Sequence, residues 1–249
     1  MKTLITGASS GIGAALAEEC ARRGEALFLC GRNEERLAAV VARCCAAACS
    51  AGHDAAQVLS EVVDVADEAA VRDWIARCSA QGPLDRVFAN AGVSTGEETE
   101  ANVRRTFAVN VGGVVNTTLA ALECGARQIV ITASIAGYGP LKACPSYSAT
   151  KACVKTWGLA LRGALAVQGT KVNVVCPGFV RSRITDGNTC PMPFFLEADV
   201  AARKILRGVD RNVGLIAFPW PMRFATWLLS ILPVWLNEQI NHLLPKKVI

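Results

Sequence analysis

The sequence predicts a doubly wound α/β fold: a Rossmann-like parallel sheet of about seven strands, in a single domain with a C-terminal helical extension. Three observations predict it. Short apolar runs alternate with longer helical patterns as far as residue 218, and the runs are nearly continuous in apolar residues, as strands covered on both faces must be. A glycine-rich turn separates the first run from the first helix. With 249 residues, 52% of them apolar, the chain is long enough for one well-buried domain and short for two.

The elements follow in order. Strands are expected at 2–6, 26–30, 58–63, 86–90, 128–134, 171–176 and 213–218. Helices are expected at 11–23, 33–51, 67–79, 98–124, 147–168 and 197–208, long enough to cross back over the sheet and keep successive strands parallel. No internal repeat or change of composition interrupts the alternation, so residues 1–218 read as one domain, which its glycine turn and its Tyr147–Lys151 spacing mark as dinucleotide-binding and catalytic, and 219–249 as an apolar helical extension.

At the end of the first strand stands Thr6-Gly7-Ala8-Ser9-Ser10-Gly11-Ile12-Gly13. Glycines there let the backbone turn sharply and approach a pyrophosphate, whose charge the free N–H groups of the next helix start can hold. The second strand ends in Gly31-Arg32, with no acid to bond a ribose 2′-hydroxyl and with a guanidinium suited to a 2′-phosphate, which favours NADPH/NADP+. Asp64-Val65 closes the third strand and Asn90-Ala91-Gly92 the fourth. Both lie at carboxyl ends of strands, where ligands of open α/β sheets bind.

One of the two tyrosines lies in Tyr147-Ser148-Ala149-Thr150-Lys151. Positions i and i+4 share a helix face, so a phenol and an ammonium point into one site, and a fixed cation favours the phenolate. Ser134, at the end of the fifth strand, brings a hydroxyl to the same sheet edge, where it can bond a substrate oxygen.

Other classes of function are disfavoured. The net charge of +5 is spread along the helices without a basic run, which excludes a nucleic-acid partner. The eleven cysteines form no Cys-x-x-Cys pair and mostly sit inside apolar runs, such as those that end at Cys30 and Cys176; Cys44, Cys45 and Cys49 have no histidine at ligand spacing. No metal and a reducing compartment are expected. A serine hydrolase lacks its Gly-x-Ser-x-Gly turn, and the two histidines, His53 and His242, read as surface residues. The N-terminus passes from one lysine straight into the first strand, which predicts a cytoplasmic start.

Together these pieces resemble the short-chain dehydrogenase/reductase family over about residues 2–218. The resemblance rests on TGASSGIG at 6–13, Asp64-Val65, Asn90-Ala91-Gly92, Asn110 in VNVGG, Ser134, YSATK at 147–151 and PGFVRS at 177–182. It implies that Tyr147 is the general acid/base, that Lys151 lowers its pKa and contacts the nicotinamide ribose, and that Ser134 orients a carbonyl. Asn110 would hold a water in a relay to Lys151. Gly7, Ser9, Ser10, Gly11, Ile12 and Gly13 would line the pyrophosphate, with Ile12 reaching the nicotinamide half. Asp64 and Val65 would border the adenine, Asn90, Ala91 and Gly92 the middle of the cofactor, and Pro177, Gly178, Val180 and Ser182 the carboxamide. Ser182 replaces the more usual Thr and keeps its hydroxyl. Ala89 replaces the first of a usual Asn pair, which removes one polar contact behind the cofactor.

The implied reaction is hydride transfer between NADPH and a carbonyl or secondary alcohol. A non-catalytic NADPH-binding sensor or scaffold would share the fold, but would have no use for Tyr147, Lys151, Ser134 and Asn110 together. Substrate contacts are expected from Val93, Ser94, Ile135, Pro140, Leu141 and Phe179, with 188–196 as a lid whose Pro191-Met192-Pro193-Phe194-Phe195 suits an apolar substrate. Val103, Phe107, Val111, Val115, Leu119, Trp157, Leu161 and Leu165 exceed what one sheet-facing stripe needs, and in the resembling family these two helices form the subunit interface. A homodimer or tetramer is expected.

The tail from Pro219 on is strongly apolar, yet its uncharged run, Phe224 to Asn237, is only 14 residues and is broken by Pro233. That is too short for a ~30 Å hydrocarbon core. Two readings stay open: an amphipathic pair of helices on a membrane surface, flanked by Arg223 and by Lys246 and Lys247, or a pair packed over the substrate cleft or a partner subunit.

Overall fold

A computed structural model describes residues 1–53, 57–186 and 191–243, with side chains as far as residue 240. Residues 188–190 of the expected lid, the side chain of His242, and Lys246 and Lys247 lie outside the described residues.

The strands are β1 (Lys2–Thr6), β2 (Ala26–Gly31), β3 (Val58–Val62), β4 (Arg86–Ala89), β5 (Gln128–Thr132), β6 (Lys171–Pro177) and β7 (Leu215–Phe218). They form one parallel sheet in the order β3-β2-β1-β4-β5-β6-β7, the doubly wound topology expected from the sequence. The order reverses between β1 and β4, which leaves a crevice at their carboxyl ends.

Helices α1 (Gly11–Arg22), α2 (Glu34–Ser50) and α8 (Ala198–Asp210) cover one face; α3 (Glu68–Ser79), α5 (Gly113–Glu123) and α6 (Pro145–Leu165) cover the other. Strand side chains alternate between these layers. Ile5, Phe88, Val130 and Val175 pack toward α1, α2 and α8, while Leu4, Val87, Ile129, Ile131 and Val174 pack toward α3, α5 and α6. Helix starts carry their own caps: Asn33 accepts from the Arg36 N–H at 2.8 Å, and Asp67 from the Ala70 N–H at 3.0 Å.

Three expectations change. The helix expected over 98–124 is α4 (Glu100–Phe107), a π turn at Ala108–Gly112, and then α5; the inserted turn redirects Asn110 toward the sheet edge. The fifth strand stops at Thr132, so Ser134 instead caps a 3₁₀ turn, Ile135–Gly137, accepting from the Ala136 N–H at 3.1 Å. β3 is an edge strand, and Leu59, Ser60, Glu61 and Val62 are exposed, unlike the covered central strands. Beyond β6 come a short α7 (Arg183–Asp186) and, after β7, α9 (Trp220–Ile231) and α10 (Val234–Leu243). No helix among the described residues is long and apolar enough to cross a membrane.

Candidate active site

A cleft of about 730 Å³ runs along the carboxyl ends of the strands, over the point where the strand order reverses. Gly7, Ser9, Ser10, Gly11, Ile12, Gly13, Arg32, Val65, Asn90, Ala91, Gly92, Ser134, Tyr147, Lys151, Pro177, Gly178, Val180 and Ser182 all line it. Of the residues expected in the site, Asp64 and Asn110 do not.

The β1–α1 turn is shaped for an anion. Gly7 and Gly11 take positive φ, +66° and +54°, which residues with a Cβ rarely adopt. Ser10 caps α1 without a side-chain bond, and no acid stands in the first turn, so the helix's positive end is free to meet a phosphate. This cradle fits the pyrophosphate of a dinucleotide. Asn90 holds the neighbouring strand ends together, its amide donating to the Thr6 carbonyl at 3.1 Å and accepting from the Thr132 hydroxyl at 3.2 Å.

Arg32 faces the cleft beyond β2, and its guanidinium lies 3.8 Å from the Asp64 carboxylate. Both side chains are more than 40% exposed, so the pair is worth at most about 1 kcal/mol and leaves the guanidinium available. Asp64 thus turns to Arg32 and to the Ala66 N–H, and it is Val63 and Val65 that border the cleft. Arg36, one helical turn beyond Arg32, was not singled out from the sequence although the i, i+4 spacing is visible there. It also lines the cleft, and its Nε is buried without a hydrogen-bond partner.

At the other end, α6 carries Tyr147 and Lys151 on one face. Tyr147 and Ser134 stand together on the cleft wall, close enough for the Ser134 hydroxyl to act on the phenol. Burial pushes the Tyr147 phenol up to about 12, against the opposing pull of Ser134. Lys151 is 3% exposed, and burial lowers its ammonium to about 8. It donates to the Thr132 carbonyl at 2.9 Å, and its Nζ lies 5.7 Å from the Tyr147 ring centre. Burial thus acts on both groups, raising the phenol and lowering the ammonium.

Asn110 is fully buried behind this pair. Its amide donates to the Val93 carbonyl at 2.9 Å and the Thr150 hydroxyl at 3.1 Å, while its oxygen accepts from the Val93 N–H at 2.8 Å. The side chain thus anchors the loop after β4 to α6. Of the expected substrate contacts, Val93 and Ser94 line the cleft; Ile135, Pro140, Leu141 and Phe179 do not, since Ile135 is buried in the core and Pro140 points to solvent. Thr95 from a loop, Arg105 from the last turn of α4, and Arg183, Ile184 and Thr185 from the short α7 also line the wall.

Residues 2–190 match the model of the short chain dehydrogenase family. This chain belongs to the short-chain dehydrogenase/reductase family. Among its relatives in that family is an uncharacterized oxidoreductase of Myxococcus xanthus (strain DK1622), 35% identical over 246 residues covering 92% of each chain. A short chain dehydrogenase/reductase from Burkholderia phymatum in complex with NAD superposes with a TM-score of 0.81 at 26% identity, covering 100% of this chain and 96% of that one. A short-chain dehydrogenase from Sphingobium yanoikuyae in complex with NADPH gives 0.77 at 27% identity, over 94% and 96%. As a short-chain dehydrogenase/reductase the chain is an oxidoreductase acting on a small molecule with a nicotinamide dinucleotide.

Proposed function

We propose that this oxidoreductase uses NADPH to reduce an apolar ketone or aldehyde, with Tyr147 as the proton donor. The observation that carries the reading is the convergence of Tyr147, Ser134 and Lys151 on one cleft wall, with Tyr147 and Lys151 one helical turn apart on α6. When bound, the nicotinamide supplies the hydride. Tyr147 and Ser134 both bond the substrate oxygen, where negative charge develops as the carbonyl is reduced. Tyr147 then gives up its proton. A phenol held near 12 is protonated at neutral pH, and an alkoxide is a stronger base still, so the elevated pKa supports the reductive direction. Lys151, an ammonium held near 8, is a stronger acid than a phenol near 12 and can return a proton to the tyrosinate. Asn110, whose amide bonds Val93 and Thr150, holds the loop after β4 against α6 beside this pair.

The two solved relatives carry different coenzymes, so the choice of NADPH rests on this chain's own residues. Gly31 offers no carboxylate to repel a 2′-phosphate, and Arg32 and Arg36 bring two guanidinium groups to the same end of the cleft. The buried, unpartnered Nε of Arg36 gains a partner when an anion sits there. The remaining cofactor contacts are those lining the cleft, from Gly7 to Gly13 at the pyrophosphate to Pro177, Gly178, Val180 and Ser182 at the nicotinamide. Asp64 acts only through Arg32.

The test is NADPH oxidation against a series of ketones and aldehydes of increasing apolar size, with cofactor binding followed by fluorescence in parallel. Turnover that rises with substrate hydrophobicity supports the reading. Tight NADPH binding without turnover of any carbonyl would identify a sensor or scaffold instead.

A further inference from the structure

Helices α9 and α10 place an apolar stripe on the outside of the molecule. On α9, Trp220, Phe224, Trp227, Leu228 and Ile231 recur at helical spacing, and Val234 and Trp235 extend them onto α10. They form one continuous face. The rings of Trp220 and Phe224 lie 6.5 Å apart and those of Phe224 and Trp227 5.9 Å apart, and Asn237 ties α10 back to the Leu229 carbonyl at 2.8 Å. The opposite side of α9 is already used: Met222 packs into the core, and Leu229 is half-buried.

The seven outward residues are between 42% and 74% exposed. At roughly 150–250 Å² for each aromatic side chain, that is about 800 Å² of apolar surface, beyond the ~300–600 Å² of the largest patch on a typical monomer. An occupant is required.

Charge and composition select it. From Trp220 to Asn237, over α9 and the first turn of α10, the chain has no acidic residue and one arginine, Arg223; the first acid after Asp210 is Glu238. The six residues that follow α10 add Lys246 and Lys247. Three of the seven exposed residues are tryptophans, which favour the boundary between lipid headgroup and hydrocarbon. A second copy of the chain has a separate apolar face to use, where Phe107, Leu119 and Leu159 stand exposed on α4, α5 and α6.

We propose that α9 and α10 lie in the surface of an anionic phospholipid bilayer and hold the enzyme there as a peripheral, non-spanning anchor. The anchor adjoins the cleft: the Gly178 N–H, on its wall, donates to the Phe218 carbonyl at 2.7 Å just before α9, and α9 also touches the 3₁₀ turn that follows Ser134. Docking therefore brings the nicotinamide end of the cleft close to the membrane surface.

The experiment is co-sedimentation of the full chain with phosphatidylcholine vesicles, with and without one-third phosphatidylserine, alongside the double variant Phe224→Ser/Trp227→Ser. Both substituted residues are about half exposed and outside the catalytic wall, and light scattering reports assembly for each form. The wild type should bind the anionic vesicles, less tightly as salt rises, and the variant should bind at least tenfold more weakly with its molar mass unchanged. Three results overturn the proposal: no binding to either vesicle, binding that the double substitution leaves intact, or a variant that falls to a smaller assembly while neither form binds lipid. The last would assign the face to a second copy.

Discussion

Gly137 ends the 3₁₀ turn that follows Ser134 and lies flat against α6. A Cβ placed there would stand 2.5 Å from the Lys151 carbonyl carbon, 2.6 Å from its oxygen and 2.7 Å from the Ala152 nitrogen, all backbone atoms of α6. Ordinary contacts between such atoms are ~3.5–4.0 Å. In Gly137→Ala the turn must therefore move about 1 Å from α6, working against Ser148, whose hydroxyl bonds the Ala136 and Gly139 carbonyls at 2.9 and 2.8 Å. Such a shift separates Ser134 from Tyr147, and a misplacement of that size costs about a hundredfold in rate. Overpacking of this kind also costs about 1–3 kcal/mol, or roughly 2–4 °C in Tm for each kcal/mol at this chain length. The β1–α1 cradle is untouched, so NADPH affinity should stay within a few-fold. Steady-state kinetics, a fluorescence titration with NADPH and a melting curve measure the three effects. An alanine variant with wild-type kcat and Tm would refute the claim that this contact holds Ser134 against the helix.

Three further outcomes are expected. Arg32→Ala and Arg36→Ala should each raise KM for NADPH about tenfold or more and leave KM for NADH nearly unchanged, at ~1.5–3 kcal/mol for a charge-assisted hydrogen bond; Gly31→Asp with Arg32→Ala should shift kcat/KM toward NADH, and a wild type that already prefers NADH would contradict the role. Lys151 is lowered from 10.5 to about 8 in the fold, so the unfolded chain binds more protons between those values. Its destabilising effect is complete below pH 8 and lifts as pH rises toward 10.5, and the rise in Tm across that window should be absent from Lys151→Met. Light scattering at micromolar concentration should report a dimer or tetramer, which Phe107→Glu with Leu119→Glu should dissociate if α4, α5 and α6 form the interface; a wild-type monomer would exclude it.

Much of this architecture is readable before any coordinates. The strand positions follow from continuous apolar runs, because a central parallel strand has no solvent face to mark with polar residues. The cradle and the tyrosine–lysine pair are local in sequence, glycines within seven positions and two side chains one turn apart, so their chemistry is visible in the spacing. What stays hidden depends on three-dimensional accommodation. Asn110 needs a π turn to swing toward Val93, and nothing in an otherwise helical run announces that insertion. Arg36 reads as one of several charges on a helix start until its neighbours desolvate it. The substrate wall draws on scattered places, the loop at Thr95, the last turn of α4 at Arg105 and the short α7 at Thr185, and no single pattern in the sequence joins them.

The account rests on Tyr147 giving its proton to a reduced carbonyl, and the kcat for NADPH-dependent ketone reduction by wild type and Tyr147→Phe tests it most directly. The substitution removes one oxygen from the cleft and leaves the coenzyme cradle intact. General acid catalysis contributes ~10²–10⁴-fold. The phenylalanine variant should therefore lose at least two orders of magnitude in kcat while its NADPH affinity stays within a few-fold; unchanged turnover in Tyr147→Phe would contradict the mechanism.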